Sequence, residues 1–150
     1  MSAPAQNGFL DSEETIDLFL HAFFHHALPK VQWTHAAHVT LAASLLHSAE
    51  VATVLPQVRN AIRSYNEAVG TRNTDTSGYH ETLTVFWLRI VAQKLHHLRI
   101  PSRLEAVRAV VDAFGEERAL HKLYYSGDIV ADIVARRVWV EPDLQPLPSK

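Results

Sequence analysis

The sequence predicts an all-α protein: a compact single-domain helical bundle with four principal helices, short extra helices and an extended Pro-rich C-terminal tail. Three observations carry this reading. Apolar residues recur at helical spacing in several long segments. No segment alternates apolar and polar residues with period two. Capping residues, Pro and Gly bracket the periodic segments. The 150 residues suit one domain with one core, spanning residues 1–150.

The elements follow in order. Residues 1–8 are small and polar and read as a frayed start. Asp11, Ser12 and Glu14 then open a helix, Asp11 and Glu14 having capping-box spacing. Ile16, Phe19, Leu20, Phe23 and Ala27 form its apolar face, and Pro29 ends it. Thr34 is the N-cap of the next helix, which runs from His35 to about Leu46 with Ala37, Leu41, Ala42 and Leu45 inward. Ser48 caps a short helix through Leu55, and Pro56 starts another through Val69 that Gly70 stops. Residues 71–78, TRNTDTSG, hold no apolar side chain and form a loop. The longest helix covers about Tyr79–Leu98. Ser102 begins a further one that Gly115 closes. A shorter helix is expected over Glu116–Tyr124, and one more over Ser126–Arg136 with Ile129, Ile133 and Val134 inward. Residues 141–150 carry three Pro and form the extended tail, with Val138, Trp139, Val140, Leu144 and Leu147 strapping it to the body.

Composition narrows the function classes. Apolar residues make up 47 % and charged residues 20 %, which is ordinary globular composition. Lys and Arg number 14 against 16 Asp and Glu, so a strongly basic nucleic-acid or membrane-surface binder is disfavoured. No apolar run approaches the about 20 residues of a membrane span, and the N-terminus lacks a signal-peptide pattern. There is no Cys, which removes disulfides, thiolate nucleophiles and Cys metal ligands. A cytoplasmic location is the expectation. Ten His stand against five Gly and one Met.

Two constellations carry chemistry. In Trp33-Thr34-His35-Ala36-Ala37-His38 the two His are i and i+3 and share one helix face. Such a pair can reach one ion, each imidazole giving a neutral nitrogen at roughly 2.0–2.1 Å. In the second, the polar loop runs into Tyr79-His80-Glu81-Thr82-Leu83-Thr84. Free N–H groups and the dipole at that helix start favour anions and a neutral His80. Thr84 stands where a zinc protease needs its second His, so that class is rejected. His80 is the candidate third imidazole. Glu81 is then general base or fourth ligand, or simply a favourable first-turn carboxylate. Asp75 reads as a substrate contact or an Asx-turn residue. His21 and His25 are spaced i, i+4 on the first helix, a competing ligand pair or a polar stripe; His96 and His97 suit a helix C-terminus, and His47 and His121 read as surface residues.

The strings LPKVQWTHAAHVTLA, YNEAVGTRNTDTSGYHETLTVFW and YYSGDIVADIVARRVWVEPDLQPLP resemble a family of small uncharacterised bacterial all-α proteins, with WTHxxH, GYHETLT and WVEPDLxPLP motifs. The resemblance covers nearly the whole chain. It implies that His35, His38, His80 and Glu81 belong to shared motifs and assigns them no roles.

Three functions stand open. The first is a metal-dependent hydrolase, transferase or oxygenase. In it His35, His38 and His80 hold a divalent ion (Zn, Fe, Ni or Cu), Glu81 and Tyr125 are catalytic, and Arg72, Asp75 and Trp33 bind substrate. The second is a metal-free module binding a small molecule or anion at the 71–78 loop and the following helix start, with His80 and Arg72 as contacts and Trp33 or Trp87 as an apolar wall. The third is a structural or scaffold protein. A homodimer is expected, through a spare apolar helix face.

Overall fold

The computed structural model describes residues 8–148. The expectation for residues 1–8 falls outside them except at Gly8, as does the tail's end at 149–150. The described chain is an all-α bundle of α1 (Glu13–Phe24), α2 (His35–Leu46), α3 (Val51–Ala68), α4 (Glu81–Leu98), α5 (Arg103–Phe114) and α6 (Ile133–Arg137), with single 3-10 turns at Lys30–Gln32 and Leu120–Leu123. No described helix is long and apolar enough to cross a membrane.

α2 is the central element and packs chiefly on α4 and α5. Ala36, Ala37, Val39, Leu41, Ala42 and Ala43 are all buried, because small side chains let neighbours approach on several sides. Its buried hydroxyls are satisfied within the helix: Thr40 donates to the Ala36 carbonyl at 2.8 Å and Ser44 to that of Thr40 at 2.6 Å. Phe23 of α1 and Tyr65 of α3 close one end of the core, and the Tyr65 hydroxyl donates to the Leu28 carbonyl at 2.8 Å.

Several boundaries differ from the sequence reading. The cap of α1 is Ser12, which accepts from Thr15 N–H while the Thr15 hydroxyl accepts from Ser12 N–H; Asp11 plays no part in this box. The two helices expected around Pro56 are one. Pro56 is the sixth residue of α3, where it removes one backbone hydrogen bond and its ring crowds the Ala52 carbonyl, yet the helix continues through it. The helix expected from Tyr79 begins at Glu81, with His80 as N-cap. Of the two helices expected over 116–136, only the turn at 120–123 and α6 form. Ile133 and Val134 are exposed at 45 % and 60 %, and Ala135 is the residue α6 buries.

The tail is strapped as expected, by fewer residues. Leu147 is buried in a second small cluster with Phe86, Ile90, Tyr125, Ile129 and Ala135, whereas Val138 and Leu144 are exposed. Thr82 ties the strap to α4: its hydroxyl donates to the Val138 carbonyl at 2.7 Å and accepts from Val140 N–H at 3.0 Å.

Candidate functional site

A cavity of about 850 Å³ lies between the starts of α2 and α4, the middle of α3 and the segment around residues 118–130. Trp33, His35, His38, His80, Trp87 and His121 all line it. The two helix starts singled out by sequence therefore face one space.

Local hydrogen bonds fix each imidazole. Thr34 caps α2 by accepting from Ala37 N–H at 3.2 Å, which places His35 and His38 in the first turn. The Nδ1–H of His38 donates to the Thr34 carbonyl at 2.7 Å, since a carbonyl can only accept. Its Nε2 is then the lone-pair nitrogen and has no partner among the described residues. Trp33 stacks on this ring with centroids 3.7 Å apart. His35 uses the opposite nitrogen. Its Nε2–H donates to the Phe114 carbonyl at 3.1 Å, leaving Nδ1 as the acceptor, and its ring meets the edge of Trp87.

His80 is different, because both of its nitrogens are engaged. Nε2–H donates to the Ile129 carbonyl at 2.8 Å, and Nδ1 accepts from Leu83 N–H at 3.2 Å as the cap of α4. His80 thus pins the α4 start to the 129 segment. His121, read from sequence as a surface residue, is only 6 % exposed, and its Nδ1 is buried without a hydrogen-bond partner among the described residues. It sits in a 3-10 turn, where the 3.6-residue period gives no signal of burial.

Electrostatics keep the rings neutral. Burial is the largest cause of lowered pKa at all four, and nearby positive or imidazole groups add to it. His38 is pushed down to about 4 by the dense protein around it, although the residue keeps surface exposed to solvent. At neutral pH the cavity therefore presents neutral nitrogen acceptors between two indole walls.

The other expected site residues lie elsewhere. Glu81 is bound bidentately by Arg59, with Nε–Oε1 at 3.0 Å and the second contact at 2.8 Å, and accepts from the Tyr79 hydroxyl at 2.7 Å. Burial raises its pKa, and these partners outweigh that and hold it below the usual carboxylate value. Asp75 pairs with Arg137. The Tyr125 hydroxyl donates to the Val140 carbonyl at 2.6 Å and so anchors the strap. Burial raises the Tyr125 pKa to about 12. Arg72 is exposed on the loop, and neither it nor Tyr125 lines the imidazole cavity.

Among the described residues, no group of three or more His, Asp or Glu side chains is arranged to hold a metal ion. The His80 bonds give the local reason: a metal at either nitrogen would have to displace Leu83 N–H or the Ile129 carbonyl. His35 and His38 keep one free acceptor each. Trp33, the expected apolar contact, does form a wall beside them. No family model matches the chain, and no curated protein or solved structure matches it.

Proposed function

We propose that the protein binds a small polar organic molecule in the imidazole cavity, with Trp33 and Trp87 as walls and His38 as the principal acceptor. One observation carries this reading. His35 and His38 each donate through one nitrogen to a backbone carbonyl, so each carries a lone pair on the other, on a lining that also holds two indoles. A ring-sized ligand bearing an O–H or N–H suits that lining, since few polar groups among apolar walls fix orientation. With its basicity lowered, His38 serves such a ligand as a hydrogen-bond acceptor that stays unprotonated at neutral pH.

A second reading is favoured by the i, i+3 pair itself. It places a divalent ion on the free nitrogens of His35 and His38, completed by ligand or water. It needs no donation from His80.

Thermal unfolding separates the two. Untagged wild type and His38→Ala are melted with phenol and with indole, and separately with Zn²⁺, Fe²⁺, Ni²⁺ and Cu²⁺. Stabilisation of the wild type by the aromatic probes, lost in His38→Ala, supports the organic ligand, because a ligand of the native state raises its apparent stability. Stabilisation by one metal alone, reversed by chelator, supports the second reading. An unmoved melting temperature throughout overturns both.

A further inference from the structure

A second pocket, of about 450 Å³, is built from different chemistry. Arg59, Arg63, Arg136 and Arg137 line it with two carboxylates, Asp75 and Glu81, and with the rings of Tyr79 and Trp139. Both carboxylates are committed: Glu81 to Arg59 and Asp75 to Arg137. Arg63 and Arg136 have no carboxylate partner among the described residues, so four guanidiniums against two carboxylates leave two positive charges on one lining.

Of the two guanidiniums without a carboxylate, Arg136 is held by hydrogen bonds and Arg63 stands free over a ring. The Arg136 terminal nitrogens donate to the Gly78 carbonyl at 2.8 Å and the Val130 carbonyl at 3.2 Å, while its Nε is buried with no partner among the described residues. A buried, unpaired N–H on a cation is costly unless something accepts from it. Arg63 lies over the Tyr79 ring at 5.8 Å, close enough to act on Glu81 by charge. The Arg63 guanidinium, which makes no side-chain hydrogen bond among the described residues, can present two parallel donors to an oxyanion, and a tetrahedral dianion matches the two uncompensated charges, where a monocarboxylate supplies half the charge.

We propose that this pocket binds a phosphate group, free or carried on a small ester, with Arg63 and Arg136 as its charge partners and Tyr79 and Trp139 as walls. The site is separate from the imidazole cavity in its donors and stands whatever that cavity binds.

The test is calorimetric titration of the full chain with inorganic phosphate and with phenyl phosphate, at constant ionic strength, in wild type, Arg63→Ala and Lys94→Ala. Arg63 is exposed and makes no side-chain hydrogen bond among the described residues, so its loss leaves the fold intact. The expected result is saturable binding in the millimolar range or tighter. It weakens about tenfold or more in Arg63→Ala, as for loss of a charged hydrogen-bonding partner, and is unchanged in Lys94→Ala. On the same titration, the Nε–Hε NMR resonance of Arg136 shifts. Tighter binding of phenyl phosphate identifies an ester as the source, and tighter binding of inorganic phosphate identifies the free ion. Absence of saturable binding, equal binding by Arg63→Ala, or equal loss in Lys94→Ala overturns the proposal.

Discussion

Replacing His80 separates a structural clasp from a ligand to something bound. In His80→Ala the Leu83 N–H loses its cap, which costs about 1 kcal/mol. The Ile129 carbonyl loses its donor, another hydrogen bond of about 1 kcal/mol. The ring is 7 % exposed, and losing its buried contacts adds about 1 kcal/mol more. The expected total is about 3 kcal/mol. His80→Asn restores an oxygen that can cap α4 but cannot reach Ile129, so its cost falls to about 1–2 kcal/mol. Urea unfolding at pH 7.5 measures both, with an unchanged m-value showing that the unfolded state is unaltered. Both losses should persist after exhaustive dialysis against chelator, because they come from protein–protein bonds. A loss below about 1 kcal/mol in His80→Ala, or an Asn variant as damaged as the Ala variant, would refute the clasp.

The remaining predictions are briefer. Gly78→Ala should cost about 2–3 kcal/mol by urea unfolding, because φ is +78° and a Cβ would stand 2.6 Å from the Arg72 carbonyl oxygen. Stability should fall as the pH drops from about 6.5 towards 5. The folded pKa values of His35, His38, His80 and His121 are lowered, so the unfolded chain binds more protons in that window, and the loss for His38 is complete only below about 4. A flat unfolding free energy between pH 7.5 and 5 would contradict this. Glu81→Gln should cost about 1 kcal/mol, since its Arg59 partner is part-exposed and screened. The same variant should bind inorganic phosphate more tightly in calorimetry, because it removes one of the two carboxylates lining that pocket.

Much of the fold was legible because its signals are local. Thr34 and Ser102 are read as caps from spacing alone and act as caps, and Ile16, Phe19 and Phe23 of the expected first-helix face are buried, whereas Ala27 of that face is exposed beyond the end of α1. Irregular backbone erased the signal elsewhere. Between Gly115 and Asp132 the chain advances by turns, so neither the burial of His121 nor the exposure of Ile133 follows from a 3.6-residue period. Pro56 read as a boundary because its cost as an interior residue depends on packing that sequence does not display. The arginines of the second pocket were legible only as charges. Arg59 and Arg63 lie four residues apart on α3, and nothing in that spacing foretells that Arg136 and Arg137 meet them from the other end of the chain.

The segment Tyr79-His80-Glu81 shows why the expected site divided into two. A helix start from Tyr79 would have placed His80 and Glu81 together in one first turn, consistent with a ligand and its base. His80 instead has extended backbone, with φ −133° and ψ 109°. In extended chain, successive side chains point to opposite sides. Tyr79 and Glu81 therefore fall on one side, joined by their 2.7 Å hydrogen bond and facing Arg59, while His80 turns towards Ile129 and the imidazole cavity. Tyr79 lines both spaces, and Arg136 donates to the carbonyl of Gly78 just before it. A residue or two of extended backbone before α4 thus sorts the chemistry into an arginine pocket and an imidazole cavity separated by one aromatic ring. Perturbing either space by Tyr79→Ala would open it to the other, so that variant should impair both phosphate and aromatic-probe binding, whereas Arg63→Ala and His38→Ala each impair only one.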